Sequence, residues 1–587
     1  MKNSSLARNI AVTAAVAALT ACAGTGLDET ARKVENDADI QQVVVTGNRV
    51  GNETENQEVV VSGHPAMKRQ VAGEYRDQTA LAPAVANYMA LSAGCCPLAP
   101  TEPIDRENYA SYDDNPVKLA SEEPVSTFSI DVDTGAYSNV RRFLTAGNLP
   151  PQDAVRVEEM INYFSYNYAT PETLDTPFDV TTELAQTPWN PDTMLLHVGL
   201  KGFEIPEHKR PPANLVFLVD VSGSMRSPDK LPLLKDALQL LTQHLDERDS
   251  VAIAGYAGGA GLILEPTSGA DKRRILNSLE QLTAAGRTNG AAGIHLAYDM
   301  AQRGFIKDGI NRLIIATDGD FNVGTVNFEA LVNLIEEKRE HGVALTALGF
   351  GTGNYNDKLL EQIADAGNGN YAYIDSRREA RKVLVEEMSS TLQTIAKDVK
   401  IQIEFNPDVV AEYRLIGYEN RLLRREDFNN DQIDAGEIGA GHTVTALYEV
   451  TPVGSPAQLN DPLRYARAGN DLARRTSELA FVRLRYKQPE ADDSQLIERP
   501  VTWNMQTRMG RDFRFAAAVA AFGQQLRGGD YLNGYELEQI ASLASGALGR
   551  DRQGYRMEFV ELVETTITLS DKLAKTGGEG HPYHVAN

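Results

Sequence analysis

Between residues 213 and 395, short apolar runs alternate with segments whose apolar residues return every three or four positions. The runs at 215–219, 251–256, 313–317 and 343–350 are almost free of charge, the pattern of strands buried on both faces. Segments 233–245, 274–282, 293–301 and 329–340 carry helical spacing, most clearly at Leu234, Leu238, Leu241 and Leu245. Strands and helices in this alternation predict an α/β unit with a doubly wound, Rossmann-like parallel sheet. Binding sites in such sheets lie at the carboxyl ends of the strands.

On either side of that unit the period shortens to two. Residues 178–184 and 195–201 read as strands before it, and Val399-Lys400-Ile401-Gln402-Ile403-Glu404-Phe405 alternates strictly after it, followed by runs at 443–450 and 479–486. These flanks predict a β-rich domain that the α/β unit interrupts or adjoins. Ahead of them stand a helical pattern through Val140, Phe143 and Leu144, and another through Val155, Val157, Met160, Ile161 and Phe164, with Pro150 and Pro151 as its start signal. Asp131 and Asp133, which alternate on a strand-like run, read as a solvated face. Helices are expected at 513–526, 534–548 and 556–569. The predicted organisation is therefore an N-terminal flanking module at 106–204, the α/β unit at 213–395, a β-rich domain at 398–510 and a C-terminal helical segment at 511–575.

The first 105 residues have a different texture. Lys2 and Arg8 precede an apolar stretch at 10–19 and then small residues, the three-part pattern of a secretory signal over residues 1–21. Leu19-Thr20-Ala21-Cys22 resembles the bacterial lipobox, which implies lipid attachment at Cys22 and a membrane anchor there. Ala23 follows in place of an acidic residue, which favours an outer-membrane address. Residues 22–105 lack sustained periodicity and read as a flexible tether. Within it, Val43-Val44-Val45-Thr46-Gly47 and Val59-Val60-Val61-Ser62-Gly63 resemble the VVVTG segment of TonB-dependent receptors. That likeness implies contact with an envelope or TonB-system protein by strand addition; a short β-prone stretch of linker is the alternative. Adjacent Cys95 and Cys96 would form a strained mutual bridge, so free thiols and pairing with another molecule both stay open.

Across its 587 residues the chain carries a formal charge of -24, which disfavours nucleic acid as a partner. No window holds the roughly 20 apolar residues of a membrane-spanning helix.

The candidate chemistry lies at the strand ends of the α/β unit. Asp220-Val221-Ser222-Gly223-Ser224 follows the first strand, Gly286-Arg287-Thr288-Asn289-Gly290 forms a glycine-flanked loop, and Asp318 closes the strand at 313–317. Carboxylates and hydroxyls are hard oxygen ligands, suited to Mg²⁺ rather than to zinc or copper. The order and placing of these segments resemble the metal-ion-dependent adhesion site of von Willebrand factor A domains. The resemblance implies Asp220, Ser222, Ser224, Thr288 and Asp318 as the metal residues. It further implies Mg²⁺, or Mn²⁺ or Ca²⁺, as the ion, and an acidic side chain of a protein partner as its ligand. Asp320 reads as an outer carboxylate or a turn residue.

Segments at 128–164 and 414–450 are similar to the flanking regions of bacterial YfbK-like lipoproteins. Asp427-Phe428-Asn429-Asn430-Asp431-Gln432-Ile433-Asp434 imitates the opening of a Ca²⁺ loop. Gln432 replaces the usual glycine and Ile438 the closing Glu, so an acidic turn is expected instead. No HExxH, P-loop lysine or G-x-S-x-G motif occurs, and His295 falls on a predicted helix without a partner of its own. The chain thus reads as a binding module rather than an enzyme: a membrane-anchored envelope lipoprotein acting through cation-dependent protein interaction or adhesion. A scaffold with a vestigial metal site and a metal-dependent hydrolase are the other readings.

Overall fold

The apolar runs of the central unit form a six-stranded sheet, ordered Tyr371–Ile374, Ala344–Phe350, Ile310–Thr317, Ala213–Asp220, Ser250–Tyr256 and Ala260–Ser268. In this computed structural model, which describes residues 107–286, 290–319, 328–387, 392–461, 477–503 and 509–576, neighbouring strands run parallel except at the last pair. The signal, Cys22, the tether, Cys95, Cys96, Thr288 and Asp320 lie outside the described residues.

Every residue of Ala213–Asp220 is buried, and alternate side chains serve different cores. Leu215, Phe217 and Val219 pack with Leu234, Leu238 and Leu241 of helix Leu231–His244, whereas Val216 and Leu218 pack with Ile294, Ala297 and Leu360 on the opposite face. A strand with helices on both faces has no place for a polar side chain until its end, which is why its first carboxylate is Asp220.

The chain enters this unit from one β-sandwich and returns to it. Asn190–Gly202 pairs with Phe178–Thr187 on one edge and with Thr443–Pro452 on the other, Leu196 facing Tyr448. The opposing sheet is built on Thr394–Phe405, which pairs with Val125–Ser129 and Glu478–Lys487. Phe178, Leu196 and Leu200 share one core with Val399, Ile401, Ile403 and Phe405. Strands from both sides of the α/β unit therefore share a sheet, and the unit is an insertion into the sandwich.

Helices Arg511–Arg527, Leu537–Ser545 and Tyr555–Thr576 close a further core against Gly135–Thr145 and Val157–Asn162, with Phe164, Phe515, Phe522 and Phe559 meeting edge to face. Pro150 and Pro151 start only the 3₁₀ turn Gln152–Ala154, and the α-helix waits until Val157. Among the described residues no helix is long and apolar enough to cross a membrane.

Asp131 and Asp133 correct one expectation. Both are buried, at 3% exposure, because Arg421 reaches them at 3.4 and 3.3 Å and the backbone of Tyr371 donates to Asp133. They belong to an ionic layer between the α/β unit and its flanks. In the same layer Arg156 forks onto Asp357 at 2.5 and 3.2 Å and also pairs with Glu159. Arg141 binds Asp375 at 2.5 Å, Glu379 at 2.7 Å and Glu558 at 2.8 Å.

Candidate metal site

Asp220 ends its strand inside the sheet, and three groups fix its carboxylate. The Ser222 backbone N–H donates to Oδ1 at 2.8 Å, while Tyr256 and Thr317 donate their hydroxyls to Oδ2 at 3.2 and 3.1 Å. The chain then turns through Gly223–Arg226, pinned by fully buried Met225, so that the Ser222 and Ser224 hydroxyls stand 2.8 Å apart. Ser222 is buried and Ser224 exposed, so the pair opens to solvent on one side.

A second loop is tied to this one. Gly223 donates its N–H to Gly286 at 3.1 Å, and Ala285 donates to Val221 at 2.7 Å. Gly286 adopts φ +92°, a conformation that favours glycine, and directs the chain into the segment holding Thr288, which lies outside the described residues.

Asp318 follows the neighbouring strand Ile310–Thr317 and is fully buried. Its Oδ2 accepts from Lys230 Nζ at 2.9 Å, and the same ammonium donates to Asn354 at 2.9 Å. The next residue must be glycine: Gly319 has φ +88°, and a β-carbon there would lie 2.3 Å from the Asn356 backbone nitrogen. Lys230 carries no mark in the sequence, because a lysine just ahead of an amphipathic helix reads as a surface residue.

Burial pushes the Asp220 carboxyl up to about 6, and the Asp318 charge adds to this against the hydrogen bonds of Ser222 and Thr317. Positive charge at this place would relieve the Asp220 carboxylate. The donor set also fits the ion in size: ligands on adjacent corners of an octahedral Mg²⁺, each about 2.1 Å from it, stand about 3 Å apart, close to the separation of the two hydroxyls. Among the described residues no group of three or more His, Cys, Asp or Glu side chains is placed to hold a metal, so this hydroxyl-rich set is chemically distinct from a carboxylate cage.

The remaining candidates are accounted for locally. Asp427 pairs with Arg424 at 3.0 Å, and Asp431 takes Arg485 at 3.0 Å and Ser494 at 2.6 Å, which is the expected acidic turn. His295 is exposed on helix Gly290–Arg303.

Known protein families match the α/β unit and both of its flanks. The von Willebrand factor type A domain family matches residues 215–320, a family described as von Willebrand factor matches 103–197, and the C-terminal family of uncharacterized protein YfbK matches 390–569. Among solved structures, a von Willebrand factor type A protein from Catenulispora acidiphila is 16% identical, covering 66% of this chain and 89% of that one at a TM-score of 0.38. Proximal thread matrix protein 1 of the mussel byssus, solved with a zinc-occupied MIDAS motif, is 21% identical over 30% of this chain and 45% of its own, at a TM-score of 0.25. The uncharacterized protein YfbK of Escherichia coli K12 is 49% identical over 471 residues, spanning 79% of this chain and 81% of that one. With such identity running from the flanks through the central sheet, the chain belongs to the YfbK family, and it carries a von Willebrand factor type A domain.

Proposed function

We propose that this protein is a cation-dependent binding module whose metal site captures an acidic side chain of a protein partner. The observation that carries the reading is the Ser222 and Ser224 hydroxyl pair, 2.8 Å apart, beside buried Asp220 and Asp318 at the carboxyl end of a parallel sheet. Two hydroxyls are neutral ligands and leave charge on the ion. Thr288 would add a third, and Asp220 and Asp318 would act chiefly through bridging water. A Mg²⁺ so held would keep a coordination place for an incoming carboxylate and would prefer it. Von Willebrand factor A domains generally serve metal-dependent protein interactions, and no catalytic motif competes with that role here.

In this reading Cys22 bears the lipid, residues 22–105 give the folded part reach, and the protein works in the bacterial envelope, at the outer membrane. The buried ionic layer between the α/β unit and its flanks also suits a second reading, a rigid envelope scaffold whose metal site no longer acts. Affinity capture from envelope extracts, with Mg²⁺ and with a chelator, separates the two. Partners held by wild type in Mg²⁺ and released by chelator, but absent from Ser222→Ala, support the binding module. The same partners on both proteins, with or without metal, support the scaffold.

A further inference from the structure

A fixed positive charge already stands in the metal site. Lys230 precedes helix Leu231–His244, and its stem lies across Gly351, where a β-carbon would fall 2.2 Å from its Cε. That packing delivers Nζ to Asp318 Oδ2 and Asn354 Oδ1, each at 2.9 Å, with only 7% of the side chain exposed. An ammonium buried to this degree is poorly screened by salt, so its field acts on whatever binds beside Asp318.

The charge balance gives its consequence. Asp220 and Asp318 bring two negative charges and Lys230 one positive charge, so these three groups sum to −1 before the ion and, with a divalent cation, to +1. A partner carboxylate then brings it to zero. Without Lys230 the same sum for the loaded site is zero, so an incoming carboxylate would meet less positive charge.

We propose that Lys230 tunes the site against the metal and in favour of the ligand: it weakens the hold on the cation and strengthens the loaded site's hold on a carboxylate. This rests on the metal-binding reading above and assigns Lys230 as a positioning and charge-setting residue, not a ligand. A merely structural lysine, needed only to hold Asp318, would on removal weaken both binding steps. The proposed role moves them in opposite directions.

The test uses the full-length protein with Mn²⁺ as the metal and glutarate as the carboxylate probe. Lys230→Gln keeps an amide donor for Asp318 and Asn354 and removes the charge; Lys230→Met keeps only the apolar stem over Gly351. Both variants should bind Mn²⁺ about fivefold or more tighter than wild type, and once loaded should bind glutarate about fivefold or more weaker. Circular dichroism establishes that each is folded. Unchanged or weaker Mn²⁺ affinity in the folded variants overturns the inference while leaving the metal site in place. Absence of Mn²⁺ binding in wild type overturns the site itself, and the inference with it. Should neither variant fold, Asn354→Asp, which keeps Lys230 in place and offsets its charge with a further acid, is titrated in the same way: tighter Mn²⁺ and weaker glutarate support the inference, and unchanged or weaker Mn²⁺ affinity overturns it.

Discussion

Replacing Arg156 by Met should loosen the joint between the inserted α/β unit and its flanks. Arg156 is 2% exposed and lies between two carboxylates that are themselves fully buried, Asp357 of helix Asp357–Ala366 and Glu159 of helix Val157–Asn162. Its fork onto Asp357 spans 2.5 and 3.2 Å, and Tyr371 adds a hydroxyl to the same carboxylate at 2.6 Å. Removing one member of a buried ion pair leaves an uncompensated charge and typically costs about 3–5 kcal/mol. Here two acids lose their cation at once, although Ala136 still donates its N–H to Glu159 at 2.7 Å. Burial raises the Asp357 carboxyl, so part of the loss is recovered by protonation rather than by structural collapse. The expected loss is therefore about 3 kcal/mol rather than the upper end of that range. Urea denaturation of the full chain at neutral pH measures it, and Asp357→Asn in the same background should restore part of the loss by removing an orphaned charge. A loss below about 1 kcal/mol, or no rescue by the second change, would refute the claim that this pair fastens the insertion.

Gly319→Ala should lower both stability, by about 1–3 kcal/mol from the left-handed backbone alone, and Mg²⁺ affinity, because the clash with Asn356 moves Asp318; metal titration and thermal melting check this, and wild-type behaviour in both would contradict it. Burial holds the fully buried His197 down to about 4 from its ordinary 6.5. The fold thus prefers the neutral ring, and the stability it contributes is complete above pH 6.5 and lost as pH falls toward 4. His197→Gln, which has no proton to gain, should narrow its stability gap to wild type by on the order of 2 kcal/mol between neutral pH and pH about 4.5; parallel denaturation profiles would argue against it. Cys22→Ser should move the protein from the membrane to the soluble fraction, and retention of the variant on membranes after a high-salt wash would count against lipid anchoring there.

The parts of the fold legible in the sequence are those fixed by burial on two faces. The runs through Leu215, Phe217, Leu313 and Ile315 sit in the middle of the sheet, where helices cover both sides and only apolar residues fit. Ala260–Ser268 escaped the same reading because it is an antiparallel edge strand, half exposed, and Tyr371–Ile374 because it is only four residues long. Asp131 and Asp133 read as solvated because an acidic alternation carries no record of Arg421, nearly three hundred positions away, which buries them. The order of the Asp220, Ser222, Ser224 and Asp318 segments was legible because each follows a strand end. Lys230 was not, since its role depends on the bare backbone of Gly351 in a distant loop.

The central claim, that these side chains hold a divalent cation, is tested most directly by calorimetric titration of the full chain with Mg²⁺ and Mn²⁺, beside a Ser222→Ala, Asp318→Ala double variant. Ser222 is expected to touch the ion, whereas the sheet beneath is held by Leu215, Phe217, Leu313 and Ile315, which the two changes leave in place. Wild type should bind one ion, and the variant, shown by circular dichroism to be folded, should lose that binding. Equal affinity in the folded double variant would contradict the account.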